Sequence, residues 1–292
     1  MTLAMWIVVA VAALPVVLLL TTAGCAAIAG VELPPMRYEG FVRATHGVIG
    51  FWPLSEWKSE LAKNPPVAAN VEDNKYNGVY VNPGDITLEA PGAIDTSLDN
   101  RCAFFKGDGG HVRVPFPGQL DQPSPELSIE LWVYATEHDR YWAVVAGCYD
   151  ADDAESPLRS GFRIRVATQD MHDANPSPAT HLEASVAGLT TPLGGSSRNI
   201  GFFFHVVLTA TTNEVVLYLN GKKHSSKTSA EQGTPFAPIP KIVVPLLFAA
   251  DQAVQAPTFR GRIDDVSLYA SVLSANTVKQ HYDEGRRLRE YA

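Results

Sequence analysis

The sequence predicts an all-β fold: a two-sheet antiparallel jelly-roll sandwich with a short C-terminal helix, preceded by one N-terminal hydrophobic helix. Three observations predict it. From Gly47 onward, short apolar runs alternate with clusters of Gly, Pro, Asn and Asp at near-regular spacing, the rhythm of strands and turns. Several runs alternate inward and outward residues with period two. Helical character is confined to the first thirty residues and to a stretch ending at Gly285.

Residues 1–30 carry no charge; the first is Glu32. About 20 apolar residues cross a bilayer as a helix, because only a helix pairs every backbone polar group within itself there. Pro15 kinks such a helix without abolishing it. Three readings stay open: a retained signal anchor, a cleaved signal peptide, and a lipoprotein signal lipidated at Cys25. "MTLAMW" lacks the Lys and Arg of a cleaved peptide's start. "LTTAGC" is similar to a bacterial lipobox, with Ala23 and Gly24 before Cys25, but Thr22 stands where an aliphatic residue is usual. Residues 31–46, with two prolines, read as a linker, and residues 47–292 as one β-domain.

The strands follow in order. "GVIGFWPL", "CAFF", "HVRVPF" and "LSIELWVYA" come first, then "YWAVVAGCY", "GFRIRVA" and "HLEASVA". "FFFHVVLTAT", "EVVLYLNG", "KIVVPLLFAA" and "GRIDDVSLYA" complete the set. In "LSIELWVYA", Ile129, Leu131 and Val133 point one way, and Ser128, Glu130, Trp132 and Tyr134 the other. Asn220-Gly221 accepts positive φ and closes a two-residue hairpin. "LSANTVKQHYDEG" reads as a helix, with Ser274 as N-cap, Val278 and Tyr282 four apart, and Gly285 as stop.

The net charge of −8 and the lack of any cluster of Lys and Arg beyond "GKKH" argue against a nucleic-acid partner. Apart from Cys25 there are two cysteines, Cys102 and Cys148, which suit either one disulfide or two reduced core thiols. No Cys or His pair has zinc-site spacing.

Six segments resemble, in order, the laminin G-like branch of the concanavalin A-like lectin/glucanase superfamily over residues 47–287. They are "GVIGFWPLSE", "EDNKYNGVYVNPG", "CAFFKGDGGHVRVP", "LSIELWVYA", "FFFHVVLTATTNEVVLYLNGK" and the closing "FRGRIDDVSLYASVLSANTVKQHYDEG". The resemblance implies one concave and one convex sheet, with loops along one rim. It also implies that an Asp at the start of the last strand contributes to a structural calcium, which prefers hard oxygen ligands.

Asp264 is the candidate, and Asp108 of the "KGDGG" turn is a further one, against a plain turn Asp. Alternation puts Asp264 on the face of Val266 and Leu268, toward the core, and Asp265 on the opposite face with Ile263, Ser267 and Tyr269. The alternative for Asp264 is an ion pair with Arg262 or Arg260, or bonds from backbone N–H groups. The acidic loop "YDADDAE" supplies candidate ligand-binding residues Asp150, Asp152 and Asp153, against a plain solvated loop. Its register fails the EF-hand pattern, with Glu155 at the sixth position and Gly161 at the twelfth.

The paired carboxylates of a glucanase strand, Glu-x-Asp-x-Glu, are missing. Glu126 and Glu130 have no Asp between them and read as a solvated face. His205 reads as a packed strand histidine. Trp52, Trp132 and Trp142 fit the core better than a sugar platform, and Trp57 is expected to be exposed. The sequence thus points to a membrane-tethered, extracytoplasmic, non-enzymatic module that recognises glycan or protein at a cell or particle surface. The alternatives are a self-assembling structural surface protein, a homo-oligomer, and, behind it, a glycoside hydrolase.

Overall fold

The computed structural model describes residues 38–94, 100–116, 125–136, 142–151, 157–167, 180–197, 201–240, 243–252 and 258–286. The apolar segment with Cys25 lies outside the described residues, as do Asp152 and Asp153. Among the described residues no helix is long and apolar enough to cross a membrane.

In chain order the elements are helix α1 (Tyr38–Ala44), β1 (Val48–Trp52), β2 (Val67–Ala68), β3 (Gly78–Val81), β4 (Ile86–Pro91), β5 (Arg101–Lys106) and β6 (His111–Val114). Then come β7 (Leu127–Ala135), β8 (Ala143–Asp150), β9 (Ser160–Ala167), β10 (Thr180–Val186), β11 (Leu193–Ser197), β12 (Phe204–Ala210), β13 (Glu214–Leu219) and β14 (Lys222–Thr228). Helix α2 (Ser229–Gln232), β15 (Leu246–Phe248), β16 (Arg260–Tyr269) and helix α3 (Ala275–Arg286) follow. The strands form two eight-stranded antiparallel sheets. The first runs β14-β13-β12-β7-β16-β5-β4, with β1 also on β16; the second runs β11-β10-β9-β8-β15-β6-β3-β2. This is the sandwich the sequence predicts.

The core between the sheets takes one face of each strand. Leu127, Ile129, Leu131 and Val133 of β7 meet Phe162, Ile164 and Val166 of β9 there, as period-two alternation requires. Asn220 and Gly221, at φ 50° and 73°, close the β13–β14 hairpin. Ser274 caps α3 through the N–H of Thr277 at 3.1 Å.

One expectation needs correction, and one open pair of alternatives is decided. Residues 31–46 are not simply a linker, since Tyr38–Ala44 is helical. Tyr38 and Val42, four apart, form a short apolar stripe and are buried. With Val278 of α3 they cover the outer face of the first sheet, against Phe51, Cys102, Trp132, Val207 and Tyr269. The cysteines do not pair: both are buried free thiols on different sheets. Cys102 lies in the outer layer and Cys148 in the core between the sheets. Cys102 points at the Pro91 carbonyl and Cys148 at that of Val244, and burial raises both thiol pKa values.

The last strand departs from simple alternation. Arg260–Ile263 pair with β5, and Val266–Tyr269 with β1. Between them the ladder with β7 bulges, and Asp265 adopts φ 48°. One residue is thereby inserted into the repeat. Ile263, Val266 and Leu268 all face the core, and Asp264, opposite Trp132, turns to the outer layer. The expected faces of Ile263 and Asp264 are therefore wrong, because alternation counts residues and a bulge adds one, whereas Asp265 keeps its expected side, toward Tyr38 and Glu130 of the outer layer. Neither carboxylate reaches bulk water; Asp265 is 5% exposed.

Candidate functional site

Helices fill the outer face of the first sheet, so the outer face of the second is where a ligand can meet a sheet. Its side chains follow from register. One cross-strand row runs Val79, Arg113, Leu247, Gly147, Arg163, Ser185. The next runs Val144, Arg165, Glu183.

On β8–β10 the rows are aromatic and charged. A Cβ on Gly147 would meet the Tyr149 ring at 2.9 Å, so the glycine leaves room for that ring on the sheet. The Arg163 guanidinium sits 5.2 Å from the ring centroid. The Tyr149 hydroxyl donates to Asp251 Oδ2 at 2.6 Å; burial first, and then this carboxylate, push the phenol pKa up. Gln252 donates to the Pro245 carbonyl at 2.9 Å. Arg165 donates to Glu183 at 2.9 Å and lies 5.3 Å from the Trp142 ring centroid. Tyr149, Arg163 and Arg165 are buried, whereas Trp142, Glu183, Asp251 and Gln252 are partly exposed. A layer of arginine and tyrosine thus holds an indole, two carboxylates and an amide at the surface. Aromatic faces and planar polar forks are the groups that fix a polyhydroxylated ligand in orientation.

A second polar centre is sealed from solvent. Glu130, 0% exposed, accepts from Tyr38 Oη at 2.8 Å and His205 Nε2 at 2.7 Å on one oxygen. Tyr269 Oη and His281 Nδ1, each at 2.8 Å, donate to the other. Burial alone would raise the Glu130 pKa, but the two histidines hold it well below the carboxylate range. The protons on His281 follow from Thr45, whose hydroxyl donates to the Phe41 carbonyl at 2.8 Å and so can only accept from His281 Nε2 at 2.9 Å. Both ring nitrogens then carry hydrogen, and His281 is an imidazolium. Burial lowers its pKa, and the Glu130 carboxylate outweighs that and raises it. This centre ties α1 and α3 to β7, β12 and β16. It is a structural lock with no path for a ligand, and it corrects the reading of Glu130 as a solvated residue.

The other candidates are scattered. Asp264 Oδ2 accepts the Ala93 N–H at 2.7 Å, and Asn100 donates to the same carboxyl. Burial pushes its pKa up to about 7. The other oxygen, Oδ1, is buried and meets no hydrogen-bond donor among the described residues. Asp108 is an exposed turn residue, separated from Asp264 by the β5–β16 ladder. Among the described residues no group of three or more His, Cys, Asp or Glu could hold a metal ion. Asp150 pairs with Arg159, at 2.5 Å and 3.1 Å. Trp52 and Trp132 are core residues in separate layers, Trp57 is 63% exposed as expected, and His205 is packed as expected. The polar face was missed, although alternation in "GFRIRVA" already put Arg163 and Arg165 on one side.

The laminin G family model described as the concanavalin A-like lectin/glucanases superfamily matches residues 106–279, more than half of the chain. The chain belongs to this superfamily. A search of the curated proteins finds no match to the sequence. Among solved structures, this member of the superfamily is similar to domain 4 of a GH43 extracellular arabinanase from Geobacillus stearothermophilus, in complex with arabinotriose. That likeness has 17% identity and a TM-score of 0.51, over 81% of this chain and 98% of the other. It is also similar to Trypanosoma rangeli sialidase in complex with sialic acid, at 15% identity and TM-score 0.52 over 81% of this chain, but it spans only 32% of the sialidase. A third is the binding domain of Paraclostridial mosquitocidal protein 1, at 12% identity and TM-score 0.50, of which it spans 52%. These likenesses concern the fold. They do overturn the expectation that the chain is not an enzyme, because chains of an arabinanase and a sialidase contain the same fold. The missing glucanase motif therefore excludes no activity.

Proposed function

We propose that this superfamily member is a membrane-tethered, extracytoplasmic module that recognises glycan through the outer face of its second sheet. The observation that carries the reading is the Trp142–Arg165–Glu183 and Tyr149–Arg163–Asp251 sets side by side on β8–β10. An indole face takes the C–H face of a sugar ring, and carboxylates and amide take its hydroxyls. The same two carboxylates are the residue type that glycosidic hydrolysis uses, so turnover is measured with binding. The tether is supported by the uncharged residues 1–30.

The test is a glycan array with the full chain, followed by titration of the best binder. Trp142→Ala and Glu183→Ala are each expected to weaken binding at least about tenfold, roughly 1.4 kcal/mol. Wild-type binding to no glycan, or variants that bind like wild type, would refute this face as the site. For the tether, the full chain is expected in the membrane fraction and a chain starting at Arg37 in the soluble one. Both chains in one fraction would refute it.

A further inference from the structure

The other end of the same sheet face has a different chemistry. A sheet face turned to water ordinarily carries polar residues at alternate positions. On β3, Tyr80 turns into the core, which leaves Val79 and Val81 pointing outward. With Pro115, Phe116, Val243 and Pro245 they line a groove of about 390 Å³, within the range of small-molecule sites. Val243 is 85% exposed.

One polar side chain stands in this groove. Arg113 is opposite Val79 on one neighbouring strand and Leu247 on the other, so apolar residues flank it on both sides. Among the described residues neither a carboxylate nor a hydrogen-bond acceptor engages its guanidinium, in a chain whose net charge is −8. A guanidinium is weakly hydrated and presents a planar fork of donors, which suits a carboxylate or a similar oxyanion.

We infer that this groove is a binding site for an amphiphilic anion, a single apolar chain or ring ending in one acidic group, with the apolar body on Val79, Val81, Phe116 and Val243 and the acid on Arg113. The site is independent of the glycan reading: it uses β3, β6 and β15 and none of the residues proposed to touch sugar. Purely apolar ligands would leave Arg113 facing an apolar surface, and purely polar anions would leave the valines in water.

The probe is 6-phenylhexanoate, with 6-phenylhexan-1-ol as its uncharged counterpart. Both are titrated into the full chain in lipid nanodiscs. Amide hydrogen exchange in residues 78–81, 111–116 and 243–246 is the readout, because it separates binding in the groove from partition into lipid. The acid is expected to protect these amides at about tenfold lower concentration than the alcohol. Arg113→Leu is expected to abolish that difference while keeping protection by the alcohol, and Arg113→Lys to keep part of it. Equal protection by acid and alcohol, no protection by either, or an Arg113→Leu variant that still prefers the acid would each overturn the inference.

Discussion

Replacing Glu130 by alanine is expected to destabilise the domain by about 3–5 kcal/mol, the cost of taking one partner out of a buried charged cluster. Four donors converge on this carboxylate, from Tyr38, Tyr269, His205 and His281, and none of them reaches water once it is gone. Glu130→Gln keeps the shape but sets an amide against one of the donors, so it is expected to lose about 2–4 kcal/mol. His281→Gln provides a milder variant that keeps most of the cluster. Urea unfolding monitored by fluorescence measures all three.

The pH dependence of this lock follows from the two shifts. Glu130 has a folded pKa below its unfolded value of 4.5, so its contribution is present above that value and is lost as pH falls through the folded pKa. His281 is shifted up, so its contribution is complete below 6.5 and is lost as pH rises through the raised value. The lock is strongest in mild acid, and Glu130→Gln should flatten both limbs. If Glu130→Ala unfolds within about 0.5 kcal/mol of wild type, the hub has no energetic role.

Where the sequence was legible, one residue's neighbours in the chain decided its environment. "LSIELWVYA" became β7 with its faces as predicted, because strict alternation leaves a strand two faces and the core takes the apolar one. Asn-Gly closed the β13–β14 hairpin, because positive φ is a local property. Strands β2, β3, β4, β11 and β14 went unread. "LGGSS" and "KKHSSKT" lack an apolar pattern and are strands because neighbouring strands pair with them. The site was less legible for the same reason. Glu130 looks solvated in its strand, and only α1 and α3, which arrive from both ends of the domain, bury it. The polar face needs β8, β9 and β10 to be ordered before its rows exist. Asp150, prominent in an acidic run, is matched by Arg159 nine residues later.

The two adjacent carboxylates of β16 are expected to make the domain less stable as pH rises. They sit where β16 exchanges β5 for β1, at a gap in the ladder that backbone bonds alone do not fill. Asp264 serves this gap, holding the start and end of the β4–β5 connection through the Ala93 N–H and Asn100. Gly92 permits the approach, since a Cβ there would lie 1.8 Å from Asn100 Oδ1 and 2.6 Å from Asp264 Oδ2. Asp265 supplies the left-handed bulge residue, a conformation that Asp and Asn tolerate better than most. Among the described residues no hydrogen bond meets its carboxylate. Burial first, and then Asp264, raise its pKa.

For both residues the folded pKa exceeds the unfolded 3.8, so the native state binds more protons over that interval. Stability therefore falls as pH rises from about 4, by up to about 1.4 kcal/mol per pH unit for each proton. For Asp264 the fall ends near its folded value of about 7. Asp264→Ala, which strands the Ala93 N–H and the Asn100 amide, is expected to cost about 2–4 kcal/mol at pH 5. Asp265→Asn keeps the left-handed residue and removes the charge, so it is expected to be more stable than wild type at pH 8 and close to it at pH 4. His281→Gln as background removes the lock's own alkaline loss, which leaves the aspartate slope to be read alone. Thermal unfolding from pH 4 to 9 measures the set. An Asp265→Asn variant that melts below wild type at pH 8 would mean that the ionised carboxylate holds the bulge together, with its charge met in the native structure.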